Sequence, residues 1–78
     1  MKVSIFPNPN HGTFRIDTRL LPAELDAYLF NAVGKKISKL KLAPGKTCNM
    51  SIKGPEGVYL LRLVGVNGSS ETRILKKY

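Results

Sequence analysis

Short runs of alternating apolar and polar residues, broken at close intervals by turn-forming pairs, dominate this chain. In Thr13-Phe14-Arg15-Ile16-Asp17 the period is two. On an extended strand that period sends Phe14 and Ile16 to one face and their polar neighbours to the other. Met50 and Ile52 alternate in the same way with Asn49, Ser51 and Lys53. Stretches 27–30 and 58–61 are apolar on both parities, the pattern of central strands with little solvent contact. Turn chemistry falls at residues 7–12, at Leu21-Pro22, Val33-Gly34 and Pro44-Gly45, at residues 54–57 and at Asn67-Gly68. Strands separated by turns at intervals of about 8–12 residues are the signature of an all-β sandwich or barrel.

Seven strands fit between these turns, at about 3–6, 12–17, 26–31, 35–42, 46–52, 57–66 and 70–76. Asn67-Gly68 predicts a two-residue type I′ hairpin, with positive φ at both positions. Ile37 is out of phase with Leu40 and Leu42, so burying all three needs a β-bulge near Ser38-Lys39. The only helical feature expected is one short turn over residues 22–25, which starts with Pro22. The pattern predicts an all-β fold, an immunoglobulin-like antiparallel β-sandwich of about seven strands, with a closed barrel as the alternative. Residues 3–78 read as a single domain, and residues 1–2 as the start of an excised fragment.

Composition narrows the chemistry. Leu, Ile, Val and Phe make up 23 of the 78 residues, enough for a core. A domain of this length buries only about 60% of its unfolded surface, so its stability is marginal. One Cys and one His exclude a disulfide framework and a zinc cluster of the Cys/His type. The longest apolar run has four residues, too few for a membrane-spanning helix, and no membrane insertion is expected. The acids Asp17, Glu24, Asp26, Glu56 and Glu71 are scattered, and no nucleophile–base–acid spacing emerges. The chain therefore reads as a non-enzyme without a cofactor. His11, between Asn10 and Gly12, reads as a solvated turn residue, and Cys48 as a small, half-buried hydrophobe. Asn8, Asn10 and Asp17 supply too few carboxylates for a calcium loop. The asparagines read instead as turn formers bonded to their own backbone.

A formal charge of +8 raises the possibility of nucleic acid. Single-strand binders need exposed aromatics among their cations. Phe6, Phe14, Tyr28, Phe30 and Tyr59 all lie in strands where core packing accounts for them. Lys35, Lys36, Lys39, Lys41 and Lys46 cluster around one hairpin, where a solvated face that discourages strand-to-strand aggregation is the simpler reading. No nucleic-acid partner is expected.

The order of the turns carries more. Phe6-Pro7-Asn8-Pro9-Asn10-His11-Gly12-Thr13-Phe14 resembles the opening of the C-terminal sorting domains of the bacterial type IX (Por) secretion system. Residues 29–37, with Asn31 where Asp is frequent in the family, resemble its second block, which ends on Gly34-Lys35. Residues 55–63 resemble the third, around Gly57-Val58-Tyr59. Arg73-Ile74-Leu75-Lys76 is similar to the closing strand, although Tyr78 follows the terminal lysines. The resemblance implies a domain that directs an exported cargo, encoded upstream in the same chain, to the cell surface or medium of a Bacteroidetes-type bacterium. A secretory signal, absent from the first residues here, would lie further upstream. The implied partners are the outer-membrane translocon and a sortase-like protease, met after transit through the periplasm. The implied recognition residues are Pro7, Asn8, Pro9, Gly12, Gly34, Lys35, Gly57, Tyr59, Lys76 and Lys77. A carbohydrate-binding or adhesive module is the alternative reading, disfavoured by the lack of Trp.

Overall fold

The computed structural model describes residues 2–78, and the strands it shows follow the sequence pattern closely. They are β1 (Ser4–Phe6), β2 (Thr13–Asp17), β3 (Leu25–Phe30), β4 (Lys36–Leu42), β5 (Thr47–Ser51), β6 (Gly57–Gly65) and β7 (Ser70–Lys77). They form two antiparallel sheets of strand order β1-β2-β5 and β4-β3-β6-β7. The expected seven-stranded β-sandwich is thus observed, and the described residues contain no helix.

Between the sheets lies one core. Phe14 and Ile16 of β2 and Met50 of β5 come from one side. Leu25, Ala27 and Leu29 of β3, Leu42 of β4, Leu61 and Leu63 of β6 and Leu75 of β7 come from the other. The alternation that placed Phe14, Ile16, Met50 and Ile52 inward is therefore reproduced. Cys48 is half-buried and packs against the core beside Ile5 and Leu40.

Four expectations need correction. Residues 22–25 make no helical turn, because Leu25 already belongs to β3 and its side chain is buried. The Asn67-Gly68 hairpin is not a two-residue turn. Gly65 N–H donates to Ser69 O (2.8 Å) and Gly68 N–H to Gly65 O (3.1 Å), closing a three-residue loop. Only Gly68 has positive φ, at 87°, while Asn67 accepts from Ser69 N–H through its side chain (3.1 Å). A bulge does interrupt β4, but at Ile37, which is skipped between the pairs Leu29–Ser38 and Phe30–Lys36. It leaves Ile37 39% exposed instead of burying it.

The fourth correction concerns coverage of the sheet. β3 and β6 are central, as expected, yet nothing covers their outer faces among the described residues. Tyr28 and Phe30 point outward and are only half-buried, and Phe6 is 42% exposed. Of the five aromatics assigned to core packing, only Phe14 and Tyr59 are in the core.

Candidate functional site

Antiparallel pairing gathers the family-like segments at one end of the sandwich. β2, β4 and β6 begin there, and β3, β5 and β7 finish there. The corner before β2 lies against the last strand. Proline has no N–H, so in residues 7–10 only Asn8 and Asn10 carry a backbone donor. Residues 7–9 form a bend, and the corner they make faces β7.

Asn10 N–H donates to Lys76 O (2.9 Å), and Tyr78 N–H donates to Asn10 O (2.9 Å), making an isolated parallel bridge with β7. Asn8 extends this pairing with its side chain. Its Nδ2 donates to Ile74 O (2.8 Å) and its Oδ1 accepts from Lys76 N–H (3.1 Å). The carboxamide thus stands in for a peptide group along the free edge of β7. An unpaired edge is a template for unwanted strand addition, and this corner covers the C-terminal half of it.

Asn10 also holds its own turn. Its side chain is almost fully buried, accepts from Gly12 N–H (2.9 Å) and donates to Pro7 O (3.3 Å). Asn10 is therefore the self-bonded turn former expected of it, whereas Asn8 bonds backbone 66 and 68 residues away. Gly12 is buried with φ of +115°. A Cβ there would come within 3.0 Å of the Lys77 Cε. Gly is required both by the backbone conformation and by the approach of this lysine.

Lys77 is half-buried, and its ammonium group donates to Ile52 O (2.9 Å) and to Gly54 O. Ile52 N–H in turn donates to Gly12 O (2.6 Å). One cation thereby ties the end of β7 to the loop after β5. The neighbouring Gly54 leaves room for the hydroxyl of Tyr59, which donates to Pro55 O (2.7 Å) from an otherwise buried ring. His11 is exposed, as expected of a turn residue, and lies edge-on to Tyr78, with ring centroids 4.4 Å apart.

The β3–β4 hairpin closes the same end. Asn31 Oδ1 accepts from Val33 N–H (3.1 Å) and Lys35 N–H (2.9 Å), and Gly34 has a φ of 88°. An aspartate carboxylate has the same acceptor oxygen, so Asn in place of Asp keeps this turn. Asn31, Val33 and Ile37 share a shallow hollow with Pro55, Gly57 and Val58.

Of the ten residues singled out from sequence, Pro7, Asn8, Pro9, Gly12, Lys76 and Lys77 meet in the clasp between the corner and β7. Gly57 and Tyr59 adjoin it through the loop that Lys77 binds, and Gly34 and Lys35 belong to the β3–β4 turn, whose Asn31 and Val33 line the hollow. Pro7, Asn8, Pro9, Gly34, Lys35 and Lys76 are exposed, while Gly12 and Tyr59 are buried. Sequence reasoning missed Asn10, Asn31 and Gly54 as parts of this assembly. The signal for Asn10 was available, since alternation with two prolines leaves the asparagines as the only donors of that run.

No curated protein matches the chain. The secretion system C-terminal sorting domain family does match, over residues 4–77, from the first residue of β1 to the last of β7. It is not a family of enzymes. A match spanning both sheets and the clasp as far as Lys77 places the chain in the secretion system C-terminal sorting domain family, where it serves as a sorting signal for type IX secretion to the cell surface or extracellular space.

Proposed function

We propose that the outer-membrane translocon of the type IX system reads the clasped end of this domain, with Pro7, Asn8, Pro9, Lys35 and Lys76 as the groups presented to it. Gly12, Gly34, Gly57, Tyr59 and Lys77 act one step back, by holding that surface in shape. The observation that carries this reading is the convergence of all four family-like segments on one end of the sandwich. A label of this kind must look the same whatever cargo precedes it. Backbone pairing between the corner and the last strand provides that constancy.

The upstream side of β1 lies at the opposite end, where Ser4 pairs with the last residue of β2, Asp17. Cargo joined there leaves the clasped end free for docking. It also leaves the junction open to a sortase-like protease, with the domain, residues 3–78, folding as one unit in the periplasm before export.

The test is an export assay. A fluorescent protein with an N-terminal export signal is fused ahead of residues 3–78 and expressed in a bacterium with a working type IX system and in its translocon-deficient mutant. Reporter is expected at the surface or in the medium of the first strain only. Replacing Lys35 and Lys76 together by Ala should reduce export without unfolding the domain. Undiminished export of that variant would remove both lysines from the recognised surface.

A further inference from the structure

The outer face of the four-stranded sheet carries a second surface, which meets the clasp at Ile74 and Lys76. Register places Lys39, Tyr28, Arg62 and Thr72 in one cross-strand row. Lys36, Phe30, Leu60 and Ile74 form the next row. Lys41 and Val64 flank Asp26 on one side of these rows, and Val58 pairs with Lys76 on the other. An apolar strip of Tyr28, Phe30, Leu60 and Ile74 therefore crosses the sheet within a frame of cations. Ile74 is 65% exposed and Val58 44%. The Lys36 and Lys39 ammonium groups sit 5.5 and 5.4 Å from the Tyr28 ring centroid, so the positive charge is held over the aromatic.

We infer that this face docks a protein surface with an apolar centre and an acidic rim. Charge complementarity selects the rim. Five outward cations, Lys36, Lys39, Lys41, Arg62 and Lys76, stand against a single outward acid, Asp26. A second copy of the chain would set these cations against one another, and like-charge juxtaposition opposes that pairing. The apolar centre selects protein over nucleic acid, because Leu60, Ile74 and Val58 extend the strip beyond Tyr28 and Phe30 with aliphatic side chains, on which bases do not stack. It also selects protein over a bilayer, because Tyr28, Phe30 and Leu60 are half-buried and do not project far enough to insert.

The test uses the folded 78-residue chain, isotope-labelled, titrated with a soluble peptide in which Glu alternates with Leu. Polyglutamate of equal charge, phosphatidylglycerol vesicles and oligo-dT serve as competitors. The Glu-Leu peptide is expected to bind about tenfold more tightly than polyglutamate, with shifts centred on the amides of Tyr28, Lys39, Leu60 and Arg62. Two variants, Tyr28→Ser with Leu60→Ser and Lys39→Glu with Arg62→Glu, should each weaken it by about tenfold. The charge-reversal pair removes no buried group, so it keeps the test decisive if the serine pair fails to fold. Equal binding of polyglutamate, tighter binding of vesicles or oligo-dT, shifts centred on residues 8–12 and 76–78, or no binding would each overturn the inference.

Discussion

Two polar side chains are buried among the described residues, Asn10 at the clasped end of the sandwich and Thr18 at the other. Both solve the same problem, since a buried polar group is costly unless bonded. Thr18 Oγ1 approaches Ala43 O (2.7 Å) and Lys46 O, while its backbone carbonyl accepts from Gly45 N–H (3.2 Å). It pins the β4–β5 loop to the end of β2. Asn10 pins the corner before β2 to the end of β7, more than 60 residues away in the chain. The Thr18 end depends on one internal loop, whereas the Asn10 end depends on the last residues of the chain being present and in place. Their surroundings differ too. Leu20 and Val66 stand exposed near Thr18, and prolines and lysines stand exposed near Asn10. A single class of interaction thus closes both ends, but only one of them couples the chain terminus to the body of the domain.

Removing residues 76–78 should test that coupling most severely. It strips the clasp of Lys77, of the Lys76 N–H bonded to Asn8 and of both backbone partners of Asn10, and the domain should lose roughly 3–5 kcal/mol. Chemical denaturation monitored by circular dichroism measures this directly, and a loss no larger than a surface substitution would contradict the clasp. Next comes Asn10→Ala, which leaves the buried Gly12 N–H without its acceptor and should cost about 2–3 kcal/mol. Export of a fused reporter should fall with it.

Thr18→Val sharpens the contrast. It should cost about 1–2 kcal/mol through the loss of the Ala43 and Lys46 contacts, yet export of the folded fraction should stay near wild type. If Thr18→Val and Asn10→Ala reduce export equally, the two ends are equivalent in function and the proposed reading end is wrong. Lys77→Met removes the ammonium group from the Ile52 and Gly54 carbonyls while keeping much of the stem, and should destabilise by about 1–2 kcal/mol.

The smallest effect belongs to pH at the Thr18 end. Hydrogen bonds from the Arg19 guanidinium and from its backbone N–H hold the Asp17 carboxyl below its ordinary pKa. A lowered pKa means that the unfolded state binds the proton more readily. The contribution is therefore complete above the ordinary aspartate range and fades as pH falls through the lowered folded value. Asp17→Asn should flatten that part of the stability–pH curve slightly. An unchanged curve would show that this exposed pair contributes nothing.

Much of this architecture was legible in advance because strand burial has a period of two and turns have their own chemistry. Phe14, Ile16, Met50 and Ile52 declared their faces through their immediate neighbours. Stretches 27–30 and 58–61 misled in part, since apolar residues on both parities marked central strands without guaranteeing a cover for the outer face. Asn67-Gly68 misled as well, because one positive φ at Gly68 and an Asn67 side-chain bond satisfy the hairpin in a longer loop. The order of the four family-like segments was readable, but not their convergence. Asn8 reads as a turn former bonded to its own backbone and Lys77 as a recognition residue, whereas the folded chain gives both of them distant backbone partners.

Periodicity, turn residues and charge are local properties, so the sequence by itself determined the all-β class, the number of strands and the inward set of β2 and β5. The partners of the Asn8 and Lys77 side chains, and of the Asn10 backbone, were decided only by the tertiary structure. Each of these groups bonds backbone, and a backbone carbonyl or N–H has no identity in the sequence. Which one becomes available depends on sheet order and register, and those are settled when both sheets close over the shared core.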